Sequence, residues 1–373
     1  MQDGGSMALW RLPDEEKISL VLSKTSRKLS DIQLETLPPG FLISPFRPER
    51  EKIFIPTDCI AQCDPQGSVS DVPESPCHLQ AFLNTPAERI HTATPHQPEP
   101  SPDPTRPDFL DLADKCLQSI RSGQTEKIVP ALRKTVPIPE DLRPADLFFR
   151  LISAYPHAMV SLVYTPDTGL WIGATPEPLI STDRNGIFRT VALAGTKQFD
   201  PNVPEQAVTW TQKEIEEQAL VERYIINCFK TIRLREYEEF GPKTYRAGNL
   251  LHLRSVFEVN LQETAFPDLG SVMLRLLHPT SAVCGMPRQA ALDFLQAHEA
   301  FDRELFAGYL GPVNVHGEIR LFVNLRCMKW SGDHAQLFAG AGVTGSSVPE
   351  SEWRECELKT QTILRFLQTA LTV

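Results

Sequence analysis

The chain has 373 residues, enough for two average domains or one large α/β body, and an apolar fraction of 41% permits a sizeable core. Its formal charge of -10 argues against nucleic acid or an anionic membrane surface as a partner, so an anionic substrate would have to meet a local basic site or a metal. No apolar run reaches transmembrane length and the opening MQDGGSMALW lacks the pattern of a signal peptide, which predicts a cytoplasmic protein with Met1 to Ser6 as an appended leader.

In chain order, Asp14 to Leu22 reads as a short helix, and Gly40 to Phe46 and Lys52 to Pro56 as strands. Seven prolines between Pro86 and Pro107 predict an extended surface connection. Asp108 then caps a helix whose apolar residues, from Phe109 to Ile120, recur at three and four until Gly123. Glu126 starts a strand that runs to Val136 across Pro130. Lys127 near its start is either an edge-strand guard or, since partial burial lowers a lysine's pKa, a general base. Met159 to Tyr164 and Leu170 to Ile172 make a hairpin. Glu177 stands between Pro176 and Pro178, either a turn glutamate in water or a carboxylate aimed by a stiff main chain. Phe188 to Leu193 is a strand that ends in Ala194-Gly195-Thr196-Lys197.

Thr209 to about Thr231 is a long helix on which Glu214 and Glu217 share a stripe with Val221, Tyr224, Ile225 and Cys228. Carboxylates on a core-facing stripe are costly unless they are paired or bind a metal; the alternative is that the stripe opens to solvent there. Leu250 to Leu261 is a strand carrying His252, followed by a helix from Asp268 to Leu277, an irregular loop containing Ala282 and Val283, and a helix from Arg288 to Phe301. Leu305 to Val315, Ile319 to Met328 and Gln336 to Ala341 are strands, with Arg326 on the same face as Asn324. Ala339-Gly340-Ala341-Gly342 is nearly bare backbone before a helix with Ser347 as N-cap and Pro349 in its first turn, a ready cradle for an anion. Glu352, Glu355 and Lys359 share one face of that helix. They suit a metal-bridged, multiply anionic small molecule, or else form a solvated face with a Glu355–Lys359 ion pair. The eight cysteines form no CxxC pair, and Cys59, Cys63 and Cys77 lack a fourth zinc ligand, so buried free thiols in a reducing compartment are expected.

Several of these stretches occur together in one order: EKIV at Lys127, GATPEPLI at Glu177, ALAGT at Gly195, KEIEEQ at Glu217 and LHL at His252. LHPTSAVCGMP, FAGYLGPV, NLRC at Arg326, and AGAG followed by EWRECELK complete the set. From about Phe109 to the C-terminus the chain resembles the chorismate-utilising enzymes, which include isochorismate and salicylate synthases and the large components of anthranilate and aminodeoxychorismate synthases. The resemblance implies an α/β (α+β) body with the anthranilate synthase component I-like fold: two large, mostly antiparallel sheets packed together with helices outside. Residues 1–108 would be an N-terminal segment of the same body, with its proline-rich connection at 86–107, and residues 109–373 the chorismate-binding catalytic domain.

The resemblance also implies the roles. Glu217 and Glu355 would ligate Mg2+ directly, with Glu214 and Glu352 holding coordinated water, a hard all-oxygen set of the kind magnesium takes. Arg326 would hold the side-chain carboxylate of chorismate as a bidentate donor. Gly340, Ala341, Gly342 and Lys359 would contact substrate carboxylates, Gly195, Thr196 and His252 would flank the ring carboxylate, and Ala282 and Val283 would line the pocket. Lys127 would deprotonate the attacking water and Glu177 would protonate the departing hydroxyl. Three departures stand out: Arg133 is six residues after Lys127 where the pattern has five, Gln218 follows Glu217 where a histidine is usual, and Phe306 replaces a common tyrosine. With Lys127 present and Ala194 in place of the lysine of aminodeoxychorismate synthases, water is the expected nucleophile and isochorismate the product, for menaquinone or siderophore synthesis. A salicylate synthase is the alternative, and a non-catalytic metabolite-binding homologue a further one. No glutaminase subunit is expected, and the protein is expected to be a monomer.

Overall fold

A computed structural model describes residues 5–63, 69–71, 102–201, 203–204, 207–247 and 250–368. Runs rich in β-branched and aromatic residues build two large sheets. Among the described residues, nine strands form the first, in the order Val69–Asp71, Cys59–Cys63, Ile18–Ser23, Ser6–Arg11, Met159–Thr165, Gly169–Thr175, Cys327–Ser331, His334–Gly340 and Ala131–Pro137. Nine form the second, in the order Glu238–Ala247, Leu250–Asn260, Ile187–Gln198, Pro178–Thr182, Ile319–Val323, Tyr309–Val313, Gly40–Ser44, Lys52–Pro56 and Arg27–Leu29. A third, small sheet joins Gly285–Met286, Lys127–Ile128 and Val343–Thr344. The pairings flanking Lys127, and those linking the central strands of both large sheets, are antiparallel.

Alternation along each strand decides which core a side chain joins. Met159 and Val163 face one side of the first sheet and Val160, Leu162 and Tyr164 the other. The first side belongs to one continuous core with Phe188 and Phe257 of the second sheet. That core also takes in the apolar stripes of helices α1 (Arg106–Arg121), α3 (Gln212–Thr231) and α4 (Leu269–Leu277). Phe41 and Phe54 join the same core from the N-terminal strands. On the other side lie α2 (Pro144–Ala154) and α6 (Pro349–Gln368), which bury Leu147, Leu151, Ile363 and Leu364. Helix α5 (Arg288–His298) packs beside the small sheet. Burying each such Leu or Phe contributes roughly 1.5–3 kcal/mol.

Several local expectations are corrected. Asp14 to Leu22 is not helical: Ile18–Ser23 is a strand, because Ile18 and Val21 face different cores and so follow the period of a sheet. Ser6 belongs to the Ser6–Arg11 strand and is fully buried, so it is part of the fold rather than of a leader. Helix α1 starts before Asp108. Thr105 is its N-cap, and Asp108 closes a capping box by accepting the Thr105 N–H at 2.8 Å. Most of the proline-rich stretch from 86 to 107 lies outside the described residues. The strand from Lys127 does not continue to Val136. It breaks at Val129-Pro130, leaving Lys127–Ile128 in the small sheet and Ala131–Pro137 at the edge of the first. The strand Glu238–Ala247 had no sequence expectation at all. Cys116, Cys228, Cys284, Cys327 and Cys356 are buried free thiols as expected, whereas Cys59 is disulfide-bonded. Among the described residues no helix is long and apolar enough to cross a membrane.

Two of the chain crossings between the large sheets lie next to each other. After Gly169–Thr175 the chain leaves the first sheet, and through Pro176-Glu177 it enters the second as Pro178–Thr182. It returns from Ile319–Val323 to Cys327–Ser331 through Asn324-Leu325-Arg326, where Arg326 takes a left-handed φ of 49°. The crossings run side by side. The N–H of Val323 donates to the Glu177 carbonyl at 2.9 Å, and that of Ala174 to the Arg326 carbonyl at 3.1 Å.

Candidate active site

A cavity opens at this seam. Its wall includes Lys127, Glu177, Ala194, Gly195, Glu217, His252, Ala282, Val283, Arg326, Gly340, Gly342, Glu352, Glu355 and Lys359. Residues from all three sheets, α3 and α6 thus meet around one space.

Lys127 is in the central strand of the small sheet, between Met286 and Thr344, and is only 8% exposed. That position excludes the edge-guard reading. Burial pushes its ammonium pKa down, Glu217, Glu177 and Glu355 push it back up, and Lys359 adds to the lowering. Its stem lies against the main chain at Gly342, where an added Cβ would stand 2.9 Å from the lysine Cε. A side chain at Gly342 would therefore displace the lysine. Glu177 is not a turn glutamate in water either. Burial pushes its carboxyl up to about 7, against the pull of Lys127, Lys359 and Arg326. One cavity thus holds a lysine biased towards the neutral amine and a carboxyl biased towards the neutral acid, an arrangement that marks acid–base sites.

Arg326 reaches the cavity because of its left-handed backbone, not through strand alternation. Asn324, expected on the same face, instead donates to the Leu305 carbonyl at 2.9 Å. The Arg326 guanidinium donates to the Thr362 hydroxyl at 3.2 Å, and burial lowers its pKa. Lys359 donates to the Gly340 carbonyl at 2.7 Å and pairs with Glu355 at 2.6 Å. The Glu355–Lys359 ion pair of the solvated-face alternative is therefore formed, yet both partners line the cavity. Glu352 is 3% exposed, one turn into α6. The helix starts from the Val348 carbonyl, which accepts from Ser351 at 2.8 Å and Glu352 at 3.2 Å. Ser347 is not the cap; its hydroxyl accepts the Thr344 N–H at 3.1 Å and holds the preceding turn.

On the opposite wall, the Ile187–Gln198 strand slips register between Ala194 and Lys197, and Gly195 takes a φ of +62°. The Gly195 carbonyl pairs with Nδ1 of His252 at 2.9 Å, which assigns the imidazole proton to Nδ1. Burial holds His252 down at about 4, so the ring is neutral at neutral pH.

Two expected residues stand apart. Glu214 does not line the cavity: its carboxylate closes the capping box of α3 by accepting the Thr211 N–H at 2.6 Å and lies 3.5 Å from Lys197. Ala341 is fully buried and its N–H goes to the Pro130 carbonyl at 3.3 Å, so it offers no amide to a ligand. The side chain of Thr196 lies outside the described residues.

A family model described as chorismate binding enzyme matches residues 49–368. The chain belongs to the chorismate-binding enzyme family. Isochorismate synthase EntC of Escherichia coli (strain K12) is 30% identical over 270 residues, 70% of this chain and 67% of its own. The solved structure of MenF, the menaquinone-specific isochorismate synthase from Escherichia coli, superposes with a TM-score of 0.74 at 22% identity, covering 97% of this chain and 89% of that one. Anthranilate synthase component I from Streptococcus pneumoniae TIGR4 superposes with a TM-score of 0.66 at 18% identity, covering 97% and 92%. This chorismate-binding enzyme therefore has the anthranilate synthase component I-like fold expected from its motifs.

The sequence reading of the chorismate-binding enzyme missed Arg303, which also lines the cavity. Arg303 donates to the carbonyls of Val129 at 2.6 Å and Val283 at 2.9 Å, and to Glu299 at 2.8 Å, while Glu299 accepts the Ala131 N–H at 3.0 Å. The pair, 3% and 6% exposed, fastens the segment that carries Lys127 to the loop that carries Val283. Its signal was available: an arginine in FDRELFAGYLG, amid apolar residues, needs a buried partner. Removing one member leaves an uncompensated buried charge, so Arg303→Met should destabilise the fold by about 3–5 kcal/mol, read as a lower denaturant midpoint. A midpoint equal to wild type would show that the pair holds nothing together.

Proposed function

We propose that this chorismate-binding enzyme is an isochorismate synthase, an isomerase that adds water at C2 of chorismate while the C4 hydroxyl leaves. The observation that carries the reading is the pairing of Lys127 and Glu177 across one cavity, with pKa values moved in opposite directions by burial. The neutral lysine takes a proton from the attacking water. The neutral glutamic acid gives one to the departing hydroxyl. Arg326 holds the side-chain carboxylate, and Lys359, Gly340 and Gly342 hold substrate carboxylate oxygens. Gly195 and His252 flank the ring. Ala194 lines the cavity with no amine, so the wall offers no counterpart to the lysine of aminodeoxychorismate synthases.

Magnesium fits the donor chemistry. Glu217, Glu352 and Glu355 line the cavity with hard oxygen ligands only. Among the described residues no three acidic, histidine or cysteine side chains form a ready cluster, so oxygens of the substrate's ring carboxylate and of water would complete the shell. When bound, the ion would neutralise that carboxylate among the wall carboxylates.

The deciding experiment is incubation with chorismate and magnesium, followed by chromatographic identification of the product. An equilibrium mixture of chorismate and isochorismate, reached from either side, is expected. Pyruvate and salicylate formed at the rate of chorismate loss would replace this reading with a salicylate synthase. The pH dependence of kcat/KM, which reports the free enzyme's groups, should be a bell. Activity falls above about pH 7 as Glu177 loses its proton, and falls on the acid side as Lys127 gains one. A kcat/KM profile with no fall above about pH 7 would remove the Glu177 assignment.

A further inference from the structure

Glu177 lines a second, smaller void as well as the main cavity. The void has room for one water molecule, and its polar wall consists of Glu177, Thr190, Tyr224 and Thr280. The hydroxyls differ in what they have left to offer. Thr190 donates to the Leu179 carbonyl at 2.8 Å and Tyr224 to the Leu276 carbonyl at 2.7 Å, so each keeps only acceptor capacity. The Thr280 hydroxyl is buried and has no hydrogen-bond partner among the described residues. The hydrogen bonds of Glu177 are main-chain ones, to Thr175 and Val323. The rest of the lining is apolar, yet a buried hydroxyl and a buried carboxyl beside a gap of this size, with two further acceptor hydroxyls, are a setting in which proteins keep ordered water.

We propose that the void holds one ordered water, bridging the Glu177 carboxyl and the Thr280 hydroxyl, which returns to Glu177 the proton spent in each turnover. This rests on the isomerase reading. There, the departing hydroxyl leaves as water with the proton of Glu177, and Lys127 keeps the proton of the attacking water. Isomerisation consumes no net proton, so before the next turnover Lys127 must release one to solvent and Glu177 must regain one. The buried water donates one O–H proton to the carboxylate and recovers one through the Thr280 hydroxyl, ending unchanged. The Thr280 hydroxyl is buried in this rotamer while the residue as a whole is partly exposed, so rotation about the Thr280 Cα–Cβ bond is the step by which the hydroxyl exchanges its proton with solvent. The charged groups that face Glu177 (Lys127, Lys359 and Arg326) line the main cavity and not the void. The void therefore reaches the acid from the side that carries no cation.

The test compares wild type with Thr280→Val, which keeps the shape and removes the hydroxyl, and Thr280→Ser, which keeps the hydroxyl. High-resolution crystal structures of the resting enzyme should show one water within hydrogen-bond reach of both groups in wild type and Thr280→Ser, and none in Thr280→Val. Thr280→Val should lose about tenfold in kcat at unchanged KM and gain a larger solvent deuterium isotope effect, while Thr280→Ser stays near wild type. An empty void in wild type, or a Thr280→Val variant with wild-type kcat and isotope effect, overturns the proposal. Failure of the isomerase reading shows differently: wild type would not convert chorismate to isochorismate, whatever the void contains.

Discussion

Lys127→Ala and Glu177→Gln will each lower kcat by about 10²–10⁴-fold while chorismate affinity, measured by calorimetry, stays within a few-fold. On the isomerase reading both groups would act on protons that move during the chemical step, and neither would be the main anchor of a substrate carboxylate. Glu177→Gln keeps the shape and cannot supply the proton, so it should also erase the alkaline limb of the pH profile. Lys127→Ala should erase the acid limb. Either variant losing affinity at unchanged turnover would reassign that residue to positioning. The substitutions should not unfold the protein. Lys127 is buried at a cost to its charged form and Glu177 at a cost to its own, so removing either charge relieves desolvation.

Chelation will abolish turnover and magnesium will restore it, and Glu217→Ala or Glu355→Ala will reduce activity by about 10²-fold or more. The readout that separates a metal role from a general one is direct magnesium titration of each variant, with and without chorismate. Heat of binding should vanish with Glu217 or Glu355. Thermal stability should hold or rise in the metal-free variants, because fewer carboxylates crowd one wall. Full activity in either variant would end the metal assignment. A large fall in melting temperature would instead make these carboxylates structural.

Much of this was legible because chemistry and local pattern coincide. Lys127 and Glu177 could be singled out from an apolar run and a proline-flanked position, and Glu217 from its place on an apolar helical stripe. What escaped depended on partners distant in the chain. Glu214 shares the stripe of Glu217, yet lies three residues after Thr211, where a capping box captures it. The Ala341 amide reads as free in a glycine-rich loop, but Pro130 takes it. Strand periodicity put Arg326 on the face of Asn324, because a left-handed turn between two sheets leaves no trace in an alternating sequence. Asp14 to Leu22 misled for another reason: a strand buried on both faces loses the alternation by which strands are read.

The paired crossings have a mechanical consequence. Glu177 and Arg326 sit on neighbouring bends that are pinned to each other's strands through two main-chain bonds and the Thr175 hydroxyl, which donates to the Val323 carbonyl. The proton donor and the guanidinium that would grip the substrate therefore travel as one piece, whatever the large sheets do. Lys127 belongs to a different piece, the three-stranded sheet held through Val129 and Ala131 by Arg303 and Glu299. Any breathing of the cavity changes the reach of the base before it changes the spacing between the acid and the anchor. On the proposed reading, a substrate seated on Arg326 would already be in register with its acid, and the remaining degree of freedom would be the approach of the amine.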